Sequence, residues 1–272
     1  MYMSAYVKDE EQHKADLERI KKFRLLDDDF MTKCFEGQIE ATELVVNTIL
    51  GVDWHVQSVR TQDTVKNLQG RSVRLDIHAV TGEGRRINIE IQRQDKGAAP
   101  KRARYHSSIL DANTLLSGEE YENLPETYVI FITENDVLKY GKPIYRIERC
   151  VIDIGESFGD GSHIVYVNNE IQDETPLGRL MHDFACVSPD DMHYKALAER
   201  VRYFKETKEG VTAMCKIIEE SNAEAVLEDR RRIARKFIEM GEMTLEKIAK
   251  ALELPMEEIE EIARNTQTHK FA

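Results

Sequence analysis

Cysteine is scarce and scattered in this chain of 272 residues. Its four cysteines include no Cys-x-x-Cys pair, so the ligand spacing of a structural zinc site is absent. A disulfide framework is also unexpected, because such frameworks belong mainly to small secreted domains. We therefore expect buried free thiols at Cys34, Cys150, Cys186 and Cys215.

Long hydrophobic runs are missing as well. No apolar stretch approaches the roughly 20 residues that a helix needs to cross a bilayer, and residues 6–11 lack the apolar core of a signal peptide. The sequence therefore predicts a soluble, cytoplasmic protein with no membrane partner. A hydrophobic fraction of 41% is enough for a core.

Positive charge is in deficit, since 38 Lys and Arg residues stand against 50 Asp and Glu residues, a formal net charge of -12. General affinity for nucleic acid needs clustered basic residues that neutralise phosphates, and this balance argues against it. A local basic cleft is still compatible with the composition, and metal-dependent nucleases need acidic ligands. Net charge alone therefore neither establishes nor excludes a protein that acts on nucleic acid.

Hydrophobic periodicity predicts an α/β fold with a mixed central sheet flanked by helices. We expect a charged helical arm at 8–24, a core helix at 40–50 that ends at Gly51, and another helix at 101–116. The apolar run 127–133 is typical of a central strand covered on both faces. Further strands are expected at about 55–62, 145–153 and 163–167, besides a hairpin that contains the turn 81–84.

The C-terminal third of the chain is helical in pattern. We therefore expect an α/β domain over 1–188 and a helical region over 189–272. Residues 243–263 have helix-turn-helix spacing. Four glutamates within 257–261 would repel DNA phosphates, however, and a DNA-reading helix normally carries Arg, Lys, Asn or Gln. This pattern favours packing or homodimer formation over DNA recognition.

The hairpin around residues 81–84 is the most informative segment. Side chains alternate along a strand, which places Leu75 and its apolar neighbours on a core face and Asp76 on the other face. If the hairpin closes around Glu83, Asp76 lies opposite Glu90, with Cβ atoms roughly 5 Å apart. Two carboxylates so placed repel each other unless a cation lies between them.

A divalent metal ion is the simplest such cation. Mg²⁺ prefers oxygen ligands and commonly takes one or two carboxylates. Asp76, Glu90 and the backbone carbonyl of Ile91 could supply these oxygens, with Mn²⁺ as a substitute ion. Gln92 could orient an attacking water by hydrogen bonds. The alternative is an exposed hairpin with ordinary polar residues on its solvent face.

Three segments resemble the PD-(D/E)XK nuclease superfamily, and more closely its Rpn family of recombination-promoting nucleases and transposases. They are Arg74-Leu-Asp76-Ile, Ile89-Glu90-Ile-Gln92 and Lys101-Arg102-Ala-Arg104-Tyr105. Segments 29–35, 118–124 and 234–259 match in the same order, so the resemblance covers nearly the whole chain. It implies a restriction-endonuclease-like fold and Mg²⁺-dependent DNA endonuclease activity, associated with recombination or mobile elements.

Carried over by position, Asp76 is the motif aspartate, Glu90 is the acidic member, and Gln92 takes the place of the usual lysine. Leu75 stands where the superfamily motif has a proline, which is not a ligand. Glutamine is the usual choice in this subfamily, but it removes a cation that could stabilise the transition state. The alternative function is therefore a catalytically degenerate nuclease fold that binds nucleic acid or self-associates.

The flanking helices offer further candidates. Glu40 or Glu43 on the first core helix could add a carboxylate to the metal, and a solvated glutamate is the alternative for each. Arg102 and Tyr105 lie three residues apart and share a helix face. Arg102 could contact a phosphate and Tyr105 could stack near the scissile group, or both could be structural.

Three histidines are candidate bases, since His titrates near neutral pH. They are His163, His182 and His193. None has a partner at ligand spacing along the chain. We therefore expect structural roles for all three.

Overall fold

The computed structural model describes residues 13–67 and 70–268. The chain divides into two compact units, Met1–Met214 and Cys215–Ala272. This division lies later in the chain than the predicted boundary after residue 188, because the helix Lys195–Glu206 packs against the helix Asp28–Phe35 in the first unit.

A mixed six-stranded sheet forms the centre of the first unit. In chain order the strands are β1 (Val56–Val65), β2 (Val73–Thr81), β3 (Arg86–Gln92), β4 (Thr127–Thr133), β5 (Ile144–Ile147), β6 (Cys150–Val151), β7 (Glu156–Ser157) and β8 (Ser162–Asn168). The sheet order is β1-β2-β3-β4-β8-β5, and β6 and β7 form a separate hairpin. Strand β4 is parallel to β3 and β8, and the other pairs are antiparallel. The predicted α/β fold with a mixed sheet is confirmed.

Helices flank this sheet. In chain order the helices of the first unit are α1 (13–22), α2 (Asp28–Phe35), α3 (Ile39–Leu50), α4 (Pro100–Ala112), α5 (Pro176–Ala185) and α6 (Lys195–Glu206), and α7 (Lys208–Met240) begins at the end of this unit. Helix α3 ends at Gly51, as predicted, in a left-handed conformation with φ of 71°. Residues 8–12 of the predicted arm lie outside the described residues.

Strand β4 is buried along most of its length, as its continuous apolar sequence predicts. Val129 and Phe131 pack with Ala103 and Leu110 of α4 in one buried cluster. Helices α2 and α3 pack against β1, and the Phe35 ring of α2 stacks on the Phe184 ring of α5. The sheet is therefore covered by α4 and by α2 and α3, which precede β1 in the chain.

The side chains of β2 do not alternate strictly between the two faces of the sheet, and the alternation breaks at Asp76. Ile77 lies on the sheet face away from Glu90, because it pairs with the residue before Glu90. Leu75, however, packs in the same cluster as Phe131, which is in register with Glu90. The predicted placement of Leu75 on the face away from Glu90 is therefore wrong. Regular pairing of β2 with β3 also ends at Ile77, so the strands separate beside Asp76.

The second unit contains the rest of α7, together with α8 (Leu245–Leu252) and α9 (Met256–Thr268). These helices share a core of Ala234, Ile248, Leu254, Ile259 and Ile262. Thr244 accepts a hydrogen bond from the backbone N–H of Lys247 and caps α8. The two helices predicted by the spacing of residues 243–263 are present.

No helix within the described residues is both long and apolar enough to cross a membrane. Among the cysteines, Cys34 and Cys215 are buried, as expected. Cys150 lies on β6 and is exposed, and Cys186 is only partly buried, so the expectation of burial is wrong at these two positions.

Candidate active site

Asp76 and Glu90 lie side by side where β2 and β3 separate. The Asp76 backbone N–H points to Glu90 Oε1 at 3.4 Å. In return, the Ile91 backbone N–H donates to Asp76 Oδ2 at 3.0 Å. Each carboxylate is thus held by the backbone of the other's strand, and the two acidic groups are adjacent, as the hairpin register predicts.

Both carboxylates are buried. Glu90 is 0% exposed and Asp76 is 9% exposed. Asn88, two residues before Glu90 on the same strand, is also fully buried. The alternative of an exposed hairpin with a solvent face is therefore wrong, because α4 packs over this part of the sheet. Burying acidic groups is costly unless opposite charge or hydrogen bonds compensate them.

Glu90 receives that compensation from three side chains. Arg102 Nη2 lies 2.8 Å from Glu90 Oε2, which forms an ion pair. Asn88 Nδ2 donates to Glu90 Oε1 at 3.0 Å, and His106 Nδ1 lies 3.4 Å from the same oxygen. Arg102 Nε also donates to His106 Nε2 at 3.3 Å, which links the arginine and the histidine that surround Glu90.

Asp76 is less well compensated. In the described part of the chain it forms no ion pair, and its hydrogen bond comes from Ile91. Burial raises the pKa of Asp76 from the usual 3.8 to about 8, and the negative charge of Glu90 acts in the same direction. The Ile91 bond and the charge of Arg102 oppose this rise. The positive charge around Asp76 and Glu90 is therefore too small to compensate both carboxylates when both are ionised.

A cleft opens beside Asp76 and is lined by residues of β2, β3 and α4. Asp28, at the start of α2, lines it too. Burial, with the charges of Asp29 and Glu90, raises the pKa of Asp28. The basic side chains along the cleft are Arg71, Arg74, Lys101, Arg102 and Arg104. The cleft is thus acidic at its base and basic along its rim.

Gln92 lies in this cleft at the end of β3. Its Oε1 is 3.4 Å from Arg102 Nη1. A Cβ atom at Gly97 would lie 1.8 Å from the same oxygen, so the glycine leaves the space that the Gln92 amide occupies. Gln92, Arg102 and Gly97 therefore form one packed group, in which Arg102 Nη1 also donates to the Gly97 carbonyl at 3.1 Å.

Tyr105 lines the cleft but its hydroxyl already has partners. It donates to the Arg71 carbonyl and accepts from Asn67 Nδ2 at 3.1 Å. These contacts tie α4 to the segment that leads into β2. They favour the structural role for Tyr105, and a contact between Tyr105 and substrate stays a prediction.

The prediction of Glu40 as a metal ligand is wrong. Glu40 is exposed and lines a separate depression beside Tyr194. Glu43 accepts the Val56 backbone N–H at 2.8 Å and so caps the start of β1. The helix that brings a carboxylate to the cleft is α2, through Asp28.

Sequence reasoning missed three residues here: Asp28, Asn88 and His106. Asn88 carries a detectable signal, because it lies two residues from Glu90 and shares its strand face. His106 lies one helical turn after Arg102, so a helical projection would have grouped the two. Asp28 has no such signal, since it is separated from the hairpin by α3 and β1.

Residues 46–177 match the family model described as PD-(D/E)XK nuclease family transposase. The matched region contains β2, β3 and α4, and hence Asp76, Glu90 and Arg102. This region is similar to that nuclease family. The predicted family is thereby confirmed at this level, and the match indicates a nuclease associated with mobile elements. No curated protein and no solved structure matches the chain.

PD-(D/E)XK nucleases generally use divalent metal ions, and the residues of the cleft fit such an ion. Asp76 and Glu90 offer carboxylate oxygens, and Asp28 lines the same cleft. An all-oxygen donor set suits Mg²⁺ or Mn²⁺. Asp76 has no ion pair within the described residues, and a bound cation would supply the positive charge that it lacks.

Proposed function

We propose that this protein is a Mg²⁺-dependent DNA endonuclease that hydrolyses phosphodiester bonds, of the Rpn type associated with recombination or mobile elements. The observation that carries the proposal is the reciprocal hydrogen bonding of Asp76 and Glu90 at the base of an open cleft. Two buried carboxylates held this close favour a shared cation over any role that leaves Asp76 ionised and unpaired beside Glu90.

Asp76 and Glu90 would hold the metal, with the Ile91 carbonyl as a further ligand. The chemistry that such an ion would supply is activation of a water near neutral pH and neutralisation of charge on the phosphate. Gln92 orients the attacking water, because its amide can both donate and accept hydrogen bonds. Arg102, which reaches Glu90 and Gln92 together, is within the cleft to contact a phosphate oxygen.

The positive charge along the rim of the cleft favours binding of a polyanionic substrate. Arg71, Arg74, Lys101 and Arg104 are exposed along it, although the chain as a whole carries a net charge of -12. Contacts from Lys and Arg to phosphates fix the position of a duplex without reading its sequence. We therefore infer DNA binding that depends on backbone contacts at this rim.

Plasmid nicking tests this proposal. Wild-type protein should nick supercoiled plasmid with Mg²⁺ or Mn²⁺ and lose the activity on chelation. Asp76→Asn should abolish nicking, since the substitution removes a metal ligand while keeping the side-chain size. Asp53→Asn, at an exposed position outside the cleft, is the matched control and should cleave normally. Equal cleavage by wild type and Asp76→Asn would refute the assignment of the site.

A degenerate nuclease fold that binds nucleic acid is the second candidate. The observation that favours it is the ion pair of Arg102 with Glu90, because a guanidinium already neutralises this carboxylate. Gln92 also takes the place of a catalytic lysine. If wild-type protein shifts DNA in a gel with Mg²⁺ but never nicks it, this candidate replaces the first.

We also infer self-association through the helical C-terminal region. Val226, Ile233 and Met240 are exposed on α7 and lie seven residues apart, so they share one side of the helix. Apolar residues at heptad spacing are typical of helix–helix pairing. Light scattering should show a dimer that Ile233→Glu dissociates and Val187→Glu, at an exposed position of the first unit, does not. A monomeric wild-type protein would contradict this inference.

A further inference from the structure

Two histidines and a buried aspartate meet at the end of α5. Asp183 is fully buried, and its Oδ1 lies 3.4 Å from His182 Nδ1. The rings of His182 and His193 meet edge to face, with their centroids 4.8 Å apart. One ligand atom from each of the three residues lies within 4.8 Å of the others. The spacing of these histidines along the chain does not reveal this cluster, because the residues meet only where the connection between α5 and α6 folds back on α5.

The Asp183 carboxylate is fixed in place by the backbone. Its Oδ1 accepts the His193 N–H and its Oδ2 accepts the Tyr194 N–H, both at 2.8 Å. An ionised carboxylate offers about four acceptor positions, so these bonds leave acceptor capacity on both oxygens. Carboxylate ligands of metal sites are themselves commonly held by hydrogen bonds of this kind.

Solvent can reach the two imidazoles. The His182 side chain is 36% exposed and His193 is exposed, while Asp183 lies beneath them. An ion therefore has a path to all three groups. None of the three residues lines the cleft that contains Asp76.

We propose that His182, Asp183 and His193 form a second metal site, which takes Zn²⁺ or a similar imidazole-binding transition metal rather than Mg²⁺. Imidazole nitrogen suits Zn, Cu and Ni, whereas Mg²⁺ prefers oxygen ligands alone. Zinc needs ligand atoms about 2.0–2.2 Å from the ion, so the three groups must draw closer than they now stand. Rotation of the exposed His193 side chain provides that movement.

The bound ion has a structural consequence. It ties the end of α5 to the segment that precedes α6, and both belong to the first unit. Because the ion binds only the folded chain, it raises the stability of this unit by mass action. The site is independent of the proposed nuclease activity, since it uses no residue of the cleft.

Equilibrium dialysis against zinc, with excess Mg²⁺ present, tests this proposal. Wild-type protein and Asp76→Asn should each bind one zinc ion per chain. His182→Ala and His193→Ala should each weaken binding by about tenfold or more, since even the loss of a residue that only supports a ligand costs that much. His163→Ala is the matched control, because that histidine stacks on Tyr128 away from the site.

A second measurement covers the outcome in which a variant fails to fold. Cobalt added to wild-type protein should give visible absorption bands of a nitrogen- and oxygen-ligated ion, and zinc should remove them. Zinc should also raise the Tm of wild type and of His163→Ala. If His182 only donates a hydrogen bond to Asp183, wild type shows neither the cobalt bands nor a zinc-dependent Tm, and the proposal is overturned.

Discussion

Arg102 Nη2 lies 2.8 Å from the fully buried Glu90 carboxylate. A single arginine therefore neutralises the more deeply buried member of the acidic pair and at the same time faces the cleft. A buried carboxylate without such a partner would be strongly destabilising. The same contact explains how the fold tolerates the site before any metal or DNA binds.

Replacing Arg102 should destabilise the metal-free protein. Arg102→Gln leaves Glu90 without its ion pair, which should cost roughly 1–3 kcal/mol. We take this range rather than a larger one because the Arg102 side chain is 38% exposed and solvent screens the pair. Urea unfolding should show the loss, and Mg²⁺ should partly reverse it. The exposed Arg104→Gln is the control, and equal free energies of unfolding for both variants would contradict the account.

The pH dependence of stability should reveal Asp76. Its pKa of about 8 in the fold lies above the usual 3.8, so between these values the folded protein keeps a proton that the unfolded chain releases. Metal-free wild type should therefore lose stability as pH rises from about 4 to about 8. Asp76→Asn mimics the protonated form and should gain in Tm over wild type across this range. A difference that does not change with pH would argue against the raised pKa.

The absence of a side chain at Gly97 should affect nicking only because it leaves room for the Gln92 amide. In Gly97→Ala the new methyl group would occupy the position of the Gln92 amide oxygen, which must then move. We expect nicking to slow by about tenfold or more, because small displacements of a positioning group have large effects on rate. Mn²⁺ affinity should not change. Gly82→Ala, where the added atom meets only ordinary contact, is the control, and normal nicking by Gly97→Ala would rule out a role for Gln92 placement.

The basic rim should set the salt dependence of DNA binding. Lys101→Gln and Arg74→Gln should each weaken binding uniformly across sequences and lower the salt slope by about 1. Lys195→Gln serves as the control, because Lys195 lines a different depression. Filter binding over a range of salt concentrations measures the slopes. Unchanged slopes in both rim variants would place the DNA elsewhere on the molecule.

The sequence was most informative where local rules determine geometry. The turn at 81–84 and the strand pattern predicted that Asp76 and Glu90 would be adjacent, and the apolar run 127–133 predicted the central strand. Both features depend on neighbours in the chain. Register and burial in a hairpin follow directly from residue type and turn position.

Features that depend on packing between distant segments were not predictable in this way. Asp28 reaches the cleft because α2 packs beside the sheet, and His182 meets His193 because a loop folds back on α5. The break in alternation at Asp76 arises where β2 leaves β3, which a period-two pattern cannot express. Glu40 was assigned to the wrong surface because a helix start does not reveal which side of α3 faces the site.

The central claim is that Asp76 and Glu90 share one metal ion, and Mn²⁺ binding followed by electron paramagnetic resonance tests it most directly. The His182→Ala background removes the imidazole site from the measurement. In that background one ion per chain should bind, and both Asp76→Asn and Glu90→Gln should weaken binding by about tenfold or more, while Asp53→Asn should have no effect. Unchanged Mn²⁺ affinity in folded Asp76→Asn and Glu90→Gln would contradict the claim.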